Sequence, residues 1–152
     1  MSDLLHFEDF KQGQKFDLGS LTVSKEDIIE FASEFDPQPF HLSEEAGEAS
    51  MLGGLAASGW QTSSLAMSLL AENLLNKSTS RGSPGISKLK WQRPVFSGDT
   101  LSVNAEVLKT RSLHTKPDLG LVSFRVNATK QDGTQVLLWE NPILFAKRSA
   151  VG

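Results

Sequence analysis

Leu55 to Leu75 reads LAASGWQTSSLAMSLLAENLL, and its first charged residue is Glu72. Ahead of it, leucine, alanine, methionine and tryptophan are interspersed only with glycine, serine, threonine and one glutamine. The pattern predicts a helix over about 55–75. A helix that is apolar or small all round belongs inside a protein rather than on its surface. Some twenty residues at ~1.5 Å each give a rod about 30 Å long, the width of a small domain. A chain of 152 residues has room for one such helix and something to wrap it.

The wrapping is legible downstream. Leu101, Val103, Ala105 and Val107 alternate with Ser102, Asn104 and Glu106. Val122, Phe124, Val126 and Ala128 alternate with Ser123, Arg125, Asn127 and Thr129. Period two with one apolar face predicts antiparallel strands half-buried on a core. Asp132-Gly133 is a strong hairpin signal, and a further strand runs from Thr134 towards Ala146, where Pro142 implies an edge or a bulge. An earlier strand, Ile86 to Arg93, ends at Pro94, and Pro94 to Asp99 turns into the next. The short polar stretch Lys77–Ser83, KSTSRGS, divides a helical first half from a strand-rich second half. Pattern alone therefore predicts an α+β fold, one helix lying on the concave face of a curved antiparallel sheet, over a single domain, 1–152.

Upstream, Ser24-Lys25-Glu26-Asp27 resembles a capping box with aspartate in the closing position. Ile28, Ile29, Phe31, Ala32 and Phe35 follow at helical spacing. Pro37 stops that helix, because it disfavours the α conformation at Asp36. The next residues, Phe35 to His41, read FDPQPFH. Asp36 and His41 are joined by a link that Pro37 and Pro39 stiffen. Two readings are open on spacing alone. Asp36 ends a helix and His41 is a loop residue, or a carboxylate and an imidazole are held for acid–base work on one water, a role worth about 10²–10⁴-fold in rate.

The stretch resembles the motif Gly-Asp-x-Asn-Pro-x-His of the MaoC-like dehydratases, the (R)-specific enoyl-CoA hydratase group. Asp36, Pro39 and His41 match in register; Phe35 stands for the glycine and Gln38 for the asparagine. Gly53 to Trp60, GGLAASGW, is similar to the family's approach to its central helix, with Gly59 at the glycine and Ser58 where histidine is common. Pro94 to Thr100, PVFSGDT, resembles the family's P-V-x-x-G-D-T turn, and Asn127 to Gly133 its last hairpin. The ordered set spans most of the chain. It implies a hotdog fold and reversible addition of water to an enoyl thioester carried on coenzyme A or acyl carrier protein. It implies Asp36 and His41 as the catalytic pair, with Asp36 taking a proton from water and His41 orienting the water and shuttling protons. Gly59 would serve through its backbone N–H at a helix N-terminus. Gln38, Phe40, Ser58 and Trp60 would then contact substrate, and no cofactor is implied. Hotdog proteins also include thioesterases and non-catalytic acyl-thioester binders. They are characteristically dimers, which implies a homodimer here, extended to a dimer or trimer of dimers.

The remaining composition narrows the classes. Cysteine is absent, so disulfide scaffolds, thiolate metal sites and cysteine nucleophiles are excluded. Lys and Arg number 15 against 18 Asp and Glu, a formal charge of −3 with no basic run, which argues against nucleic acid. Three histidines spread over the chain make a metal site unexpected. Ala56-Ala57-Ser58-Gly59-Trp60 lacks both outer glycines of a nucleophile elbow, so small-residue helix packing accounts better for Ser58. Trp60, Trp91 and Trp139 read as core or interface, His6 and His114 as exposed. Lys88, Lys90 and Arg93 read as a solvated strand face, with coenzyme A phosphates the second option. Met1 to Phe10 lacks the pattern of a signal peptide and no stretch is apolar enough to span a membrane, giving the expectation of a cytoplasmic protein.

Overall fold

The computed structural model describes residues 3–151. Five strands, β1 (Lys15–Thr22), β2 (Lys88–Trp91), β3 (Thr100–Ser112), β4 (Leu119–Thr129) and β5 (Gln135–Ala146), form one antiparallel sheet in the order β1-β3-β4-β5-β2. Between β1 and β2 the chain makes α1 (Lys25–Phe35), α2 (Glu44–Glu48) and α3 (Gly59–Asn73); α4 (Arg148–Val151) follows β5. Strands β3, β4 and β5 are a meander of adjacent hairpins, and β1 and β2 are added at opposite edges.

The alternation predicted for β3 and β4 sets the core. Val103, Ala105 and Val107 face inward with Val122, Phe124, Val126 and Ala128, and none of the seven is more than 1% exposed. Ala66, Leu69 and Leu70 of α3 cover them from the concave side. The Asp132-Gly133 turn forms as expected: Gly133 takes φ +86°, and the Thr134 N–H donates to Asp132 Oδ1 at 2.9 Å. Pro142 sits where β2 has already ended. Its carbonyl oxygen accepts from Ser83 Oγ on the side away from β4, so its missing N–H lies at a locally open edge covered by the 79–87 loop.

Four expectations need correction. The first half of the chain is not only helical, because β1 pairs with β3 along Lys15–Thr22. The long helix begins at Gly59 rather than Leu55 and ends at Asn73. Residues 55–58 run extended beside the turn before β3, with Ala57 N–H donating to Val95 O at 2.7 Å; Ser58 then caps the helix. Within this chain α3 is buried on one face only: Gln61, Thr62, Ala66, Leu69 and Leu70 are inside, while Trp60 and Met67 are 56% and 42% exposed. On α1 the buried positions are Ile28 and Ala32, and Phe35 is exposed rather than packed.

Candidate active site

Ser24 Oγ accepts the N–H of Asp27 and starts α1, which the proline at 37 ends, leaving Asp36 as its C-cap. Pro39 then opens a single tight turn, Pro39–His41, that carries His41 into the interior. The two prolines thus convert a helix end into a fixed offset between two side chains. The offset brings them together: His41 Nε2 lies 3.3 Å from Asp36 Oδ2.

The other ring nitrogen fixes the chemistry. His41 Nδ1 is 2.6 Å from the carbonyl oxygen of Ala56. A carbonyl only accepts, so Nδ1 carries the hydrogen and Nε2 is the nitrogen that exchanges protons. Asp36 is held by two more groups. Gln38 Nε2 donates to its Oδ1 at 2.6 Å, and the Ser58 hydroxyl beside the carboxylate favours its charged form. Burial alone pushes the Asp36 carboxyl up; the Gln38 amide, the Ser58 hydroxyl and the charge of His41 together outweigh it and hold the group below its usual range. The carboxylate is therefore ionised at neutral pH.

Ser58 links this pair to α3. It is fully buried, and its Oγ accepts the N–H of Trp60 at 3.3 Å. The N–H groups of Gln61 and Thr62 bond Ser58 O, which leaves the Gly59 N–H with no partner among the described residues. That donor stands at the positive end of a fifteen-residue helix.

A cavity of about 320 Å³ opens beside these groups. His41, Phe40 and Gly59 line it, together with Leu52, Ala57 and Val95. Asp36, Gln38 and Ser58 are not part of its wall, and Asp36 adjoins it through its contact with His41. Trp60 faces away from it, into a separate apolar groove of about 230 Å³. Of the seven residues singled out from sequence, five thus gather around the sixth, His41, and Trp60 lies on the far side of the helix start. Thr62, Trp91 and Val136 also line the cavity and carried no local signal for it. Trp91 covers Gly59: a Cβ on that glycine would meet the indole at 2.6 Å. The glycine is thus a packing requirement as well as a source of an open N–H.

Of the three basic residues near β2, Lys88 and Lys90 are solvated surface, whereas Arg93 is exposed and also lines the cavity. His114 is exposed, and His6 is half-buried with Nδ1 3.0 Å from Leu4 O. Trp139 alone of the three tryptophans is core, at 3% exposure. Among the described residues no three His, Asp or Glu side chains gather closely enough to hold a metal ion, and no helix is long and apolar enough to cross a membrane.

Comparison with known proteins gives a consistent result. The family model described as MaoC-like domain matches residues 9–127. An (R)-specific enoyl-CoA hydratase of Rhodospirillum rubrum is 30% identical over 131 residues, covering 83% of this chain and 82% of that protein. An uncharacterized protein of Bacillus subtilis, YdeM, is 29% identical over 143 residues, 94% of this chain and 100% of its own. The crystal structure of a MaoC-like dehydratase from Rhodospirillum rubrum superposes with a TM-score of 0.89 at 37% identity, covering 95% of this chain and 98% of that one. The helix enclosed by a five-stranded antiparallel sheet is the hotdog fold that the sequence resemblance implied.

Proposed function

Because the chain belongs to the family of MaoC-like domains, we propose that it is a hydratase/dehydratase that reversibly adds water across the double bond of an enoyl thioester. One observation carries the reading: the carboxylate of Asp36 and the Nε2 atom of His41, 3.3 Å apart, stand beside a cavity that also contains the open end of α3. The matched hydratase and dehydratase support it.

The geometry suits a division of labour. A water held between Asp36 Oδ2 and His41 Nε2 is placed by two acceptors and loses a proton to the pair as its oxygen bonds the β-carbon. The same proton inventory delivers one hydrogen to the α-carbon, so the elements of one water cross one double bond. Asp36, held below its usual pKa by Gln38 and Ser58, keeps its negative charge and takes the proton from the water; His41, in the cavity wall, orients the water and passes protons on. The thioester oxygen, which gains charge in the enolate-like transition state, meets the Gly59 N–H and the helix dipole. The acyl carrier, coenzyme A or acyl carrier protein, docks at the open mouth.

The test is turnover of crotonyl-CoA, followed as loss of the enoyl absorbance, with hydrolysis to free thiol measured in parallel. Asp36→Asn and His41→Ala should each lower kcat by roughly 10²–10⁴-fold. The double variant should be little worse than either single one, since both residues act on one water. Full activity in either single variant, with the circular dichroism spectrum unchanged, would move the chemistry away from this loop. Thiol release without enoyl loss would make the protein a thioesterase.

A further inference from the structure

The cavity beside His41 and the apolar groove on the other side of Gly59 are neighbours along α3, and an indole stands between them. Trp91, at the end of edge strand β2, lies over Gly59 on the cavity side. Its ring meets Trp60 edge-on, with centroids 4.9 Å apart and planes at 79°. Its Nε1–H donates to Ser63 Oγ at 3.0 Å. Trp60 and Ser63 both belong to the groove, whose other walls are Met67, Ile86, Leu89 and Trp139. A second apolar hollow of about 280 Å³ continues from Met67 and Ile86 towards Leu75 and Ile143. One side chain, anchored by one hydrogen bond, therefore partitions a line of apolar space that runs from the catalytic pair along the helix.

We infer that Trp91 sets the length of acyl group the site accepts, its indole being the end wall of the cavity and Ser63 the latch that keeps the wall in place. The inference rests on the enoyl-thioester reading above and names the substrate class within it: short acyl groups that end against the indole. The physical reasons are on the wall itself. An indole is rigid, with two rotatable bonds, so it stops a chain sharply. Trp91 is 44% exposed, so little packing holds it apart from Trp60 and the Ser63 bond. Swinging it away opens the cavity to the groove, and the extra methylenes of a longer chain gain the apolar surface of Met67 and Ile86. Each methylene that fits or fails to fit is worth about 10–200-fold in discrimination.

The experiment compares kcat/KM for crotonyl-CoA and its octenoyl homologue in the wild type, Trp91→Ala, Trp91→Phe and Ser63→Ala. It is paired with calorimetric Kd values for butyryl-CoA and octanoyl-CoA, which cannot be hydrated. The wild type should prefer crotonyl-CoA. Trp91→Ala should shift the ratio towards octenoyl-CoA by at least about tenfold, mostly through KM. Ser63→Ala should shift it the same way by less, with the indole still present and the fold undisturbed, and Trp91→Phe should fall between wild type and Trp91→Ala. The Kd ratio should move in parallel. Ratios that stay at the wild-type value in Trp91→Ala and Ser63→Ala overturn the inference and leave the hydratase reading standing. A changed sedimentation coefficient in Trp91→Ala with unchanged ratios also overturns it, and makes the tryptophan pair a contact between copies. A wild type that hydrates neither enoyl thioester overturns the hydratase reading instead; the Kd ratios then decide the wall by themselves.

Discussion

At the scale of single residues, Gln38 has the clearest consequence. Its amide is the nearest donor to Asp36, at 2.6 Å, and it offsets the burial that opposes the charge. Asp36 is thus a carboxyl with a lowered pKa, charged above that value and neutralised below it. Activity that needs the carboxylate should persist as pH falls to the lower end of the carboxylate range, and the acid limb of log(kcat/KM) should lie there. Gln38→Leu removes the donor and leaves the burial, so the Asp36 pKa rises and the acid limb moves to higher pH. A pH–rate profile of the two proteins checks the direction; a limb that stays put or moves down would detach Gln38 from the charge of Asp36. The sequence displayed much of this arrangement. Two prolines between Asp36 and His41 predict a fixed offset, and the offset is a contact. The partners of the pair were beyond reach, because Ala56 O, which sets the tautomer, and Trp91, which covers Gly59, arrive from other elements.

At the scale of elements, the turn before β3 shows how a local motif secures long-range order. In Pro94 to Thr100, Gly98 takes φ +90° and its N–H donates to Val23 O, joining the turn to the start of α1. Asp99 Oδ2 accepts the Phe96 N–H at 2.8 Å and pairs with Lys130 Nζ at 3.0 Å, both side chains being 13% exposed. Burial pushes the Asp99 carboxyl up, but Gln131, the Phe96 N–H and Lys130 outweigh it and lower the pKa. A lowered folded pKa stabilises the protein above the ordinary carboxylate value and loses that contribution as pH falls through it. Asp99→Ala should therefore cost about 3 kcal/mol at neutral pH, since Lys130 is left without its partner. The difference from wild type, read by urea unfolding, should shrink below about pH 4. Equal losses at pH 7 and pH 3 would assign the cost to packing. The PVFSGDT motif was readable because its glycine and aspartate act locally. Strand β1 was not: Gly19, at φ +96°, makes a bulge at Asp17/Gly19 that breaks the alternation, and only Leu18 of Lys15–Thr22 is buried. The start of α3 was blurred because Leu55 to Ala57 are as apolar and small as the helix itself.

At the scale of the whole molecule, the unfinished surface is where α3 meets β2. Trp60, Met67, Ile86 and Trp91 are all more than 40% exposed, and β2 is an edge strand of four residues beside them. Open edges and grouped apolar side chains invite pairing. A homodimer about a twofold axis should form here, β2 meeting its copy and the groove along α3 closing into a tunnel with two walls. Sedimentation at micromolar concentration should return twice the chain mass or a multiple of it, and dilution should lower activity together with the dimer. A fully active monomer would exclude both the pairing and the shared tunnel.

The order β1-β3-β4-β5-β2 divides the chain by more than position. Asp36, His41 and Gly59 lie in the crossover that carries the chain from one edge of the sheet to the other, and Trp91 lies on the edge strand where it arrives; none is in the β3–β5 meander. The two parts close at different entropic cost. Thr22 and Thr100 pair across 78 positions, whereas Thr129 and Gln135 pair across a tight hairpin. By loop-closure entropy the first costs about 2 kcal/mol more to bring together. The meander is thus a scaffold whose register owes little to the chemistry, and the crossover is a replaceable cassette. Substitutions in the cassette can alter what is bound without re-registering a single ladder of the meander, which leaves this fold free to exchange substrates over evolutionary time while its sheet stays the same.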